Sequence, residues 1–323
     1  MVGTMVSMPT LLTRLKDVDN YLSRQHSSVR SALFERLICQ AFAALLHLPF
    51  FDARHDDSTQ PYRVTWFGTE RPPAKTPRGP DGRALAHGFC LGIEATRKTT
   101  PKQWSQEFNE CLEHAHYIAQ QTGKEPQNVY SVLVTTTVHV RTFRAARAQN
   151  ERNDHKIVLM EVETLRKALE TASMAFTMRH LEVRELVRNL LGCLADASSV
   201  DSFRKRTRAY MPTWETKVLK LELSAALAVK SYEAMIRVGR KHVAVSEILT
   251  SLTRDNAIDM YLRRIDEPLG ISVIARSLKQ ESLGAVVGKL PDDEELFCPV
   301  PLADFRSRCQ RRLRAVEDAH GGN

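Results

Sequence analysis

The chain has 323 residues, with 46 Lys and Arg against 38 Asp and Glu, a net charge of +8 and a pI near 9.2. One hydrophobic core rarely organises more than about 250 residues, so two domains are expected, and the basic balance mildly favours a polyanionic partner. The composition is that of an ordinary globular protein, with 43% hydrophobic residues; no apolar run is long enough to span a membrane, and Met1 to Thr10 lacks the basic flank and apolar core of a secretion signal.

Cys39, Cys90, Cys111, Cys193, Cys298 and Cys309 are scattered and form no Cys-x-x-Cys pair. They argue against a zinc or redox motif and read as reduced thiols of a cytoplasmic protein. Leu11 to Ser23 suits a short amphipathic helix, and Ser27 or Ser28 can cap the next one. Between Val29 and Leu48 the residues Leu33, Phe34, Leu37, Ile38, Phe42, Leu45 and Leu46 keep helical spacing, and Pro49 ends the run. Glu35 lies beside Phe34 on this face, which is costly unless the carboxylate is paired or metal-bound; a surface contact with Arg30 or Arg36 is the plainer reading.

Phe50 to Arg54 and Tyr62 to Phe67 read as strands. Pro72, Pro73 and Pro77, interleaved with Arg71, Lys75 and Arg78, exclude a central strand between Gly68 and Gly79. This loop, with Arg83 just past it, offers basic side chains to phosphates or simply to solvent. A Pro80-Asp81-Gly82 turn then leads through an apolar run to Glu94-Ala95-Thr96, so that two carboxylates sit where their oxygens can converge on one hard cation. Taken singly, Asp81 is a good turn residue and Glu94 a solvated strand end.

Pro101 to Gln121 reads as a helix. Seven residues turn an α-helix through about 700°, so Glu107 and His114 share a face, and Gln103, four before Glu107, joins them. On that reading Gln103 and Glu107 face the cation, and His114 lies farther along the groove. His116 points elsewhere.

Asn128 to Val140 is rich in β-branched residues and reads as a central strand. A short polar helix with Arg141, Arg144, Arg147 and Arg152 follows, then a strand from Lys156 to Val162 and a helix from Glu163 to Met178. Alternating strands and helices predict an α/β three-layer core over residues 1–178. Beyond residue 180 strand signals nearly vanish. Helices are expected at His180 to Ala197, Trp214 to Arg237, Val245 to Thr253, Asn256 to Ile265 and Ile271 to Leu278, making 179–323 a mainly helical second domain for DNA or partner contacts. Arg204, Lys205, Arg206 and Arg208, beside Phe203 and Tyr210, form a DNA-backbone candidate or a solvated face. Val245 to Leu278 has the cadence of a helix-turn-helix or winged module, and the tail from Glu317 is expected to be disordered.

Phe34-Glu35 on a helix, Pro80-Asp81-Gly82, Glu94-Ala95-Thr96, and a following helix with Glu107 and His114 together resemble the PD-(D/E)xK nucleases, most of all the catalytic domains of AlwI-type restriction and nicking endonucleases. Thirteen residues separate Asp81 from Glu94 and Glu94 from Glu107, and seven separate Glu107 from His114, spacings that also look like that branch. The resemblance covers about Ser28 to Thr171. It implies a restriction-endonuclease-like core with a mixed sheet and metal-dependent hydrolysis of phosphodiester bonds in double-stranded DNA, in a restriction, nicking or phage-defence setting.

By that resemblance Mg²⁺, or Mn²⁺ in its place, is held by Asp81, Glu94 and the carbonyl of Ala95, while Glu35 binds it directly, through water, or with a second ion. Thr96 stands where the wider fold has lysine. Glu107 is then the candidate to complete the metal and water shell, with Gln103 and Lys98 as nearby substitutes. A homodimer or a partner subunit is compatible with this reading. Two alternatives stay open: a transposition-type subunit that cleaves DNA ends, which would suit a nuclease domain placed first, and a DNA-binding or assembly subunit that no longer cuts.

Overall fold

The computed structural model describes residues 6–52, 61–67, 80–123, 125–152, 156–175, 180–238, 242–253, 256–266, 270–280, 284–289, 295–299 and 301. The chain forms two compact units, one of Met1–Met174 and Met178–Trp214, the other of Ala175–Thr177 and Glu215–Asn323.

The first unit runs α1 (Met8–Lys16), α2 (Val18–Ser23), α3 (Arg30–Leu45), β1 (Phe50–Asp52), β2 (Arg63–Trp66), β3 (Gly82–Ala86) and β4 (Phe89–Thr96). It continues with α4 (Asn109–Thr122), β5 (Val129–Thr135), α5 (Val140–Arg152), β6 (Lys156–Glu161), α6 (Val162–Ala172), α7 (His180–Ala195) and the first part of α8 (Val200–Val238). Its six strands lie in sequence order, β1-β2-β3-β4-β5-β6. β1 and β2 are parallel, β2, β3 and β4 antiparallel, and β4, β5 and β6 parallel. This is the α/β architecture with a mixed sheet and flanking helices that the alternating elements predict.

β4 and β5 are buried along their whole length, as strands covered on both faces must be. Their hydrophobic runs therefore do not alternate. β3 and β4 form a tight hairpin, and its turn uses Gly88 at φ 75°, a left-handed conformation that favours glycine. α3 buries Phe34, Leu37, Ile38, Cys39 and Phe42 among its core residues, which gives the helix the broad apolar face read from the sequence.

Several elements differ from the sequence reading. β5 stops at Thr135 rather than reaching Val140. The β-branched run beyond it is drawn into other contacts: Val138 N donates to Glu161 (3.1 Å) and His139 N to Gln103 Oε1 (2.8 Å). Gln103–Phe108 is a π-helical segment ahead of α4, not the start of a regular α-helix.

The basic run Arg204 to Arg208 lies inside α8, a 39-residue helix that carries Pro212 in its interior. The expected change of character near residue 180 also differs from the division between the units, which falls after Trp214. The reason is packing: Leu194, Ala197 and Phe203 close a core with Phe108, Leu133, Phe143, Ile157 and Leu159. α7 and the start of α8 thus complete the sheet-bearing unit.

The second unit holds the rest of α8, then β7 (Val243–Ala244), α9 (Val245–Leu252), α10 (Asn256–Ile265), α11 (Ile271–Gln280), β8 (Gly284–Lys289) and β9 (Glu295–Pro299). It is mainly helical, but it also contains an antiparallel three-stranded sheet in the order β7-β9-β8. Those strands are short or glycine-containing, which is why propensity passes over them. Among the described residues no helix is long and apolar enough to cross a membrane.

Candidate functional site

The site is built where α3 meets the β3–β4 hairpin. The opening Gly82 of β3 is required by space: a Cβ there would overlap Cys39 Sγ of α3. That close approach brings α3 against the residue before it, Asp81. Across the hairpin, Asp81 Oδ2 accepts from Ala95 N at 2.8 Å, so the carboxylate is fixed beside the Glu94-Ala95-Thr96 strand segment. A Cβ at Gly92 would meet Ile118 of α4, which places the Gly92 face of β4 under that helix. Glu94, two residues on, shares this face.

Electrostatics show what these elements bring together. The fully buried Cys39 thiol is pushed well above its usual range, first by burial and then by the charges of Asp81, Glu35 and Glu94. Three carboxylates, from a helix, a turn and a strand, therefore lie within electrostatic reach of one buried sulfur. Two of them make further contacts: Glu35 Oε1 accepts from Ser31 Oγ (3.1 Å), and Glu94 Oε1 meets His114 Nδ1 in a short, buried pair. Both members of that pair have side chains only 4% exposed. His114 is thus directly on Glu94 rather than farther along a groove.

Gln103 does not face the carboxylates as the helical phase predicts. Its amide locks together three stretches of chain: Nε2 donates to the carbonyls of Lys98 and Thr137 and to Thr135 Oγ1, and Oε1 accepts from His139 N. Thr96, at the lysine position, is buried, and its Oγ1 accepts from Lys98 N at 3.1 Å. Lys98 itself is exposed. The side chain of Glu107 lies outside the described residues; its backbone is in the π-helical segment.

The DNA-contact candidates separate into several groups. Arg78 lies outside the described residues. Arg83 sits over the Phe67 ring at 5.6 Å. Arg141, Arg144, Lys205, Arg206 and Arg208 are exposed. Arg204 is instead an internal tie, donating from Nε to Glu161 Oε1 at 2.8 Å and pairing with Asp201.

Asp81, Glu94, Glu35 and the Ala95 carbonyl are oxygen donors, the type a hard divalent cation such as Mg²⁺ takes, and in that chemical sense they fit one. Among the described residues, however, no group of three or more His, Cys, Asp and Glu stands ready to hold a metal ion. Cys39 is the member of the site that sequence reasoning missed. Its signal was the i, i+4 spacing from Glu35 on α3.

No family model and no curated protein matches the chain. Among solved structures it is similar to the small subunit of the heterodimeric restriction endonuclease R.BspD6I, with 13% identity and a TM-score of 0.44 over 63% of this chain and 97% of that one.

Proposed function

We propose that the first unit is a Mg²⁺-dependent endodeoxyribonuclease that hydrolyses phosphodiester bonds in double-stranded DNA, with a PD-(D/E)xK-type site of the AlwI-like kind. The observation that carries the reading is geometric: Asp81 Oδ2 accepts from Ala95 N at 2.8 Å, beside Glu94 on the adjoining strand, and the helix that bears Glu35 packs against Gly82, the residue after Asp81. Carboxylate oxygens brought to one place from separate elements are the donor type a hard divalent cation takes, and a phosphodiester hydrolase uses such an ion.

Asp81 and Glu94, with the Ala95 carbonyl, would hold the cation, and Glu35 would add to its shell from α3. When bound, the ion polarises the phosphate, lowers the pKa of the attacking water and offsets charge on the leaving oxygen; Mn²⁺ substitutes for it. The Ala95 N–H keeps the Asp81 carboxylate at the strand edge. His114, on α4, orients Glu94 on the sheet face beneath that helix. Glu107 completes the shell where Thr96 replaces lysine, and Lys98 is its rival for that role. The exposed cations of α5 and α8, together with the second unit, supply DNA-backbone contacts, and a homodimer or partner subunit completes the cutting assembly.

One observation favours a second reading, a DNA-binding or assembly subunit that does not cut: Glu94 is already paired with His114. Supercoiled plasmid incubated with the purified protein in Mg²⁺ or in EDTA separates the two. Nicked or linear product in Mg²⁺ alone supports the nuclease. Intact plasmid with retained DNA binding supports the alternative.

A further inference from the structure

α3 presents a second stripe next to the one that carries Glu35 and Cys39. Leu33, Arg36, Leu37 and Gln40 follow i, i+3, i+4, i+7 spacing and so share one helix face. Together with Val6, Arg14 of α1 and Tyr21 of α2 they line a cleft of about 330 Å³, within the usual range of ligand sites, about 300–1,000 Å³. Among the described residues its wall includes two guanidinium groups and no carboxylate.

The arginines are held in place by aromatic rings rather than by acids. Arg14 lies 4.8 Å from the Tyr21 ring centre, and Arg36 lies 5.5 Å from that of Trp66 and 6.0 Å from that of Phe50. Arg36 Nε is buried with no hydrogen-bond partner among the described residues. A buried guanidinium donor left without an acceptor is costly, and an anion in the cleft that Arg36 lines would offset the charge of that guanidinium. The nearby acids of α2 are occupied elsewhere: Asp17 caps α2 through Asn20 N (3.3 Å), and Asp19 pairs with Arg97 (2.9 Å). Glu35 is about 100° round the helix from Arg36.

We propose that this cleft binds a backbone phosphate of the nucleic-acid strand, one adjacent to the phosphate handled at the carboxylate cluster, through Arg14 and Arg36. The location follows from the chain: Arg36 succeeds Glu35 on α3, and Trp66, beneath its guanidinium, pairs with Gly82, the residue after Asp81. Arginine suits this task because its planar fork matches phosphate oxygens and its charge does not titrate away. Adjacency to a reacting phosphate rests on the nuclease reading; the phosphate site itself does not.

The test measures binding of a fluorescein-labelled DNA duplex to the full chain by anisotropy, in EDTA and over a range of salt. Arg14→Gln with Arg36→Gln should weaken binding about tenfold and flatten the log K against log salt slope by about one, the loss of one phosphate contact. Leu33→Glu keeps both arginines and places a carboxylate at the cleft, so it should weaken binding by a similar factor with an unchanged thermal melt. Arg36→Lys should retain more affinity than Arg36→Gln.

An unchanged slope in the double variant together with unchanged affinity for Leu33→Glu overturns the proposal. A parallel titration with dAMP separates strand from free nucleotide: dAMP binding that is lost in Arg36→Gln while the duplex slope stays constant makes this a mononucleotide site and overturns the strand assignment. Cleavage by Asp81→Ala is scored separately. Cutting that persists there refutes the carboxylate site and leaves the salt slope untouched.

Discussion

Gly82→Ala is the sharpest probe of how the site is assembled. The added methyl would overlap Cys39 Sγ and sit tightly, at 3.2 Å, on the backbone Thr65 O of the paired strand, while Cys39 Cβ at 3.6 Å is in ordinary contact. The severe clash is thus with one sulfur atom, buried on a helix whose surroundings are close-packed. Overpacking of this kind costs about 1–3 kcal/mol, and for a unit of this size each kcal/mol lowers the melting midpoint by roughly 2–4 °C. Cys39→Ala removes that sulfur and costs about 1 kcal/mol as a small cavity.

The two changes together should leave the added methyl in ordinary contact with the retained Cβ. The double variant should therefore be more stable than the sum of the singles by about 1–2 kcal/mol. Urea unfolding of the four proteins, followed by Trp fluorescence, gives the coupling directly. Plasmid cleavage should fall in Gly82→Ala, because Asp81 moves with the strand, and recover in the double variant. Additive losses would show that α3 and β3 do not meet through this atom, and the account of how Glu35 and Asp81 are brought together would fail.

Asp81→Ala should abolish Mg²⁺-dependent cleavage while keeping the fold, whereas Glu94→Ala should also lose stability, about 1–3 kcal/mol, by removing the carboxylate that pairs with the buried His114; paired melts and cleavage assays report both. Glu107→Gln should remove most activity at saturating Mg²⁺ and Lys98→Ala little, and the reverse order of damage would hand the lysine role to Lys98. A chain ending after Trp214 should fold cooperatively by circular dichroism, but one ending after Ala175 should not, because Phe143, Ile157 and Leu159 lose the cover of Leu194 and Phe203.

What was legible in the sequence was mostly local. Asp81 and Glu94 belong to one hairpin, so a turn and a strand sufficed to place them, and Glu35 stood out as a carboxylate beside Phe34 on an apolar helix. The central α/β sheet could be read because β4, β5 and β6 are buried apolar runs. The sequence reading sets His114 two regular turns beyond Glu107 and so farther along the groove, while the chain has Glu107 in a π segment and His114 on Glu94. Gln103 was read as facing the cation because its partners, Thr135, Thr137 and His139, are more than thirty residues away and no local pattern encodes them. The division after Trp214 is hidden for a similar reason: α7 looks like any other helix, and only its long-range packing, Leu194 with Ile157 and Leu159 of β6, shows where it belongs.

The π segment at Gln103–Phe108 has a consequence for the family of sequences able to adopt this site. A π turn is commonly what an α-helix becomes when it carries one residue too many for its hydrogen-bond ladder. Deleting a single residue between Trp104 and Glu107 would let the ladder close as regular α-helix. Because the bulge absorbs its extra residue locally, the turns on either side keep their phase. His114 would stay on Glu94 and Ile118 over Gly92. One residue more or less at this point is thus tolerated by the histidine–glutamate pair, and the change is confined to the side chains of the segment itself.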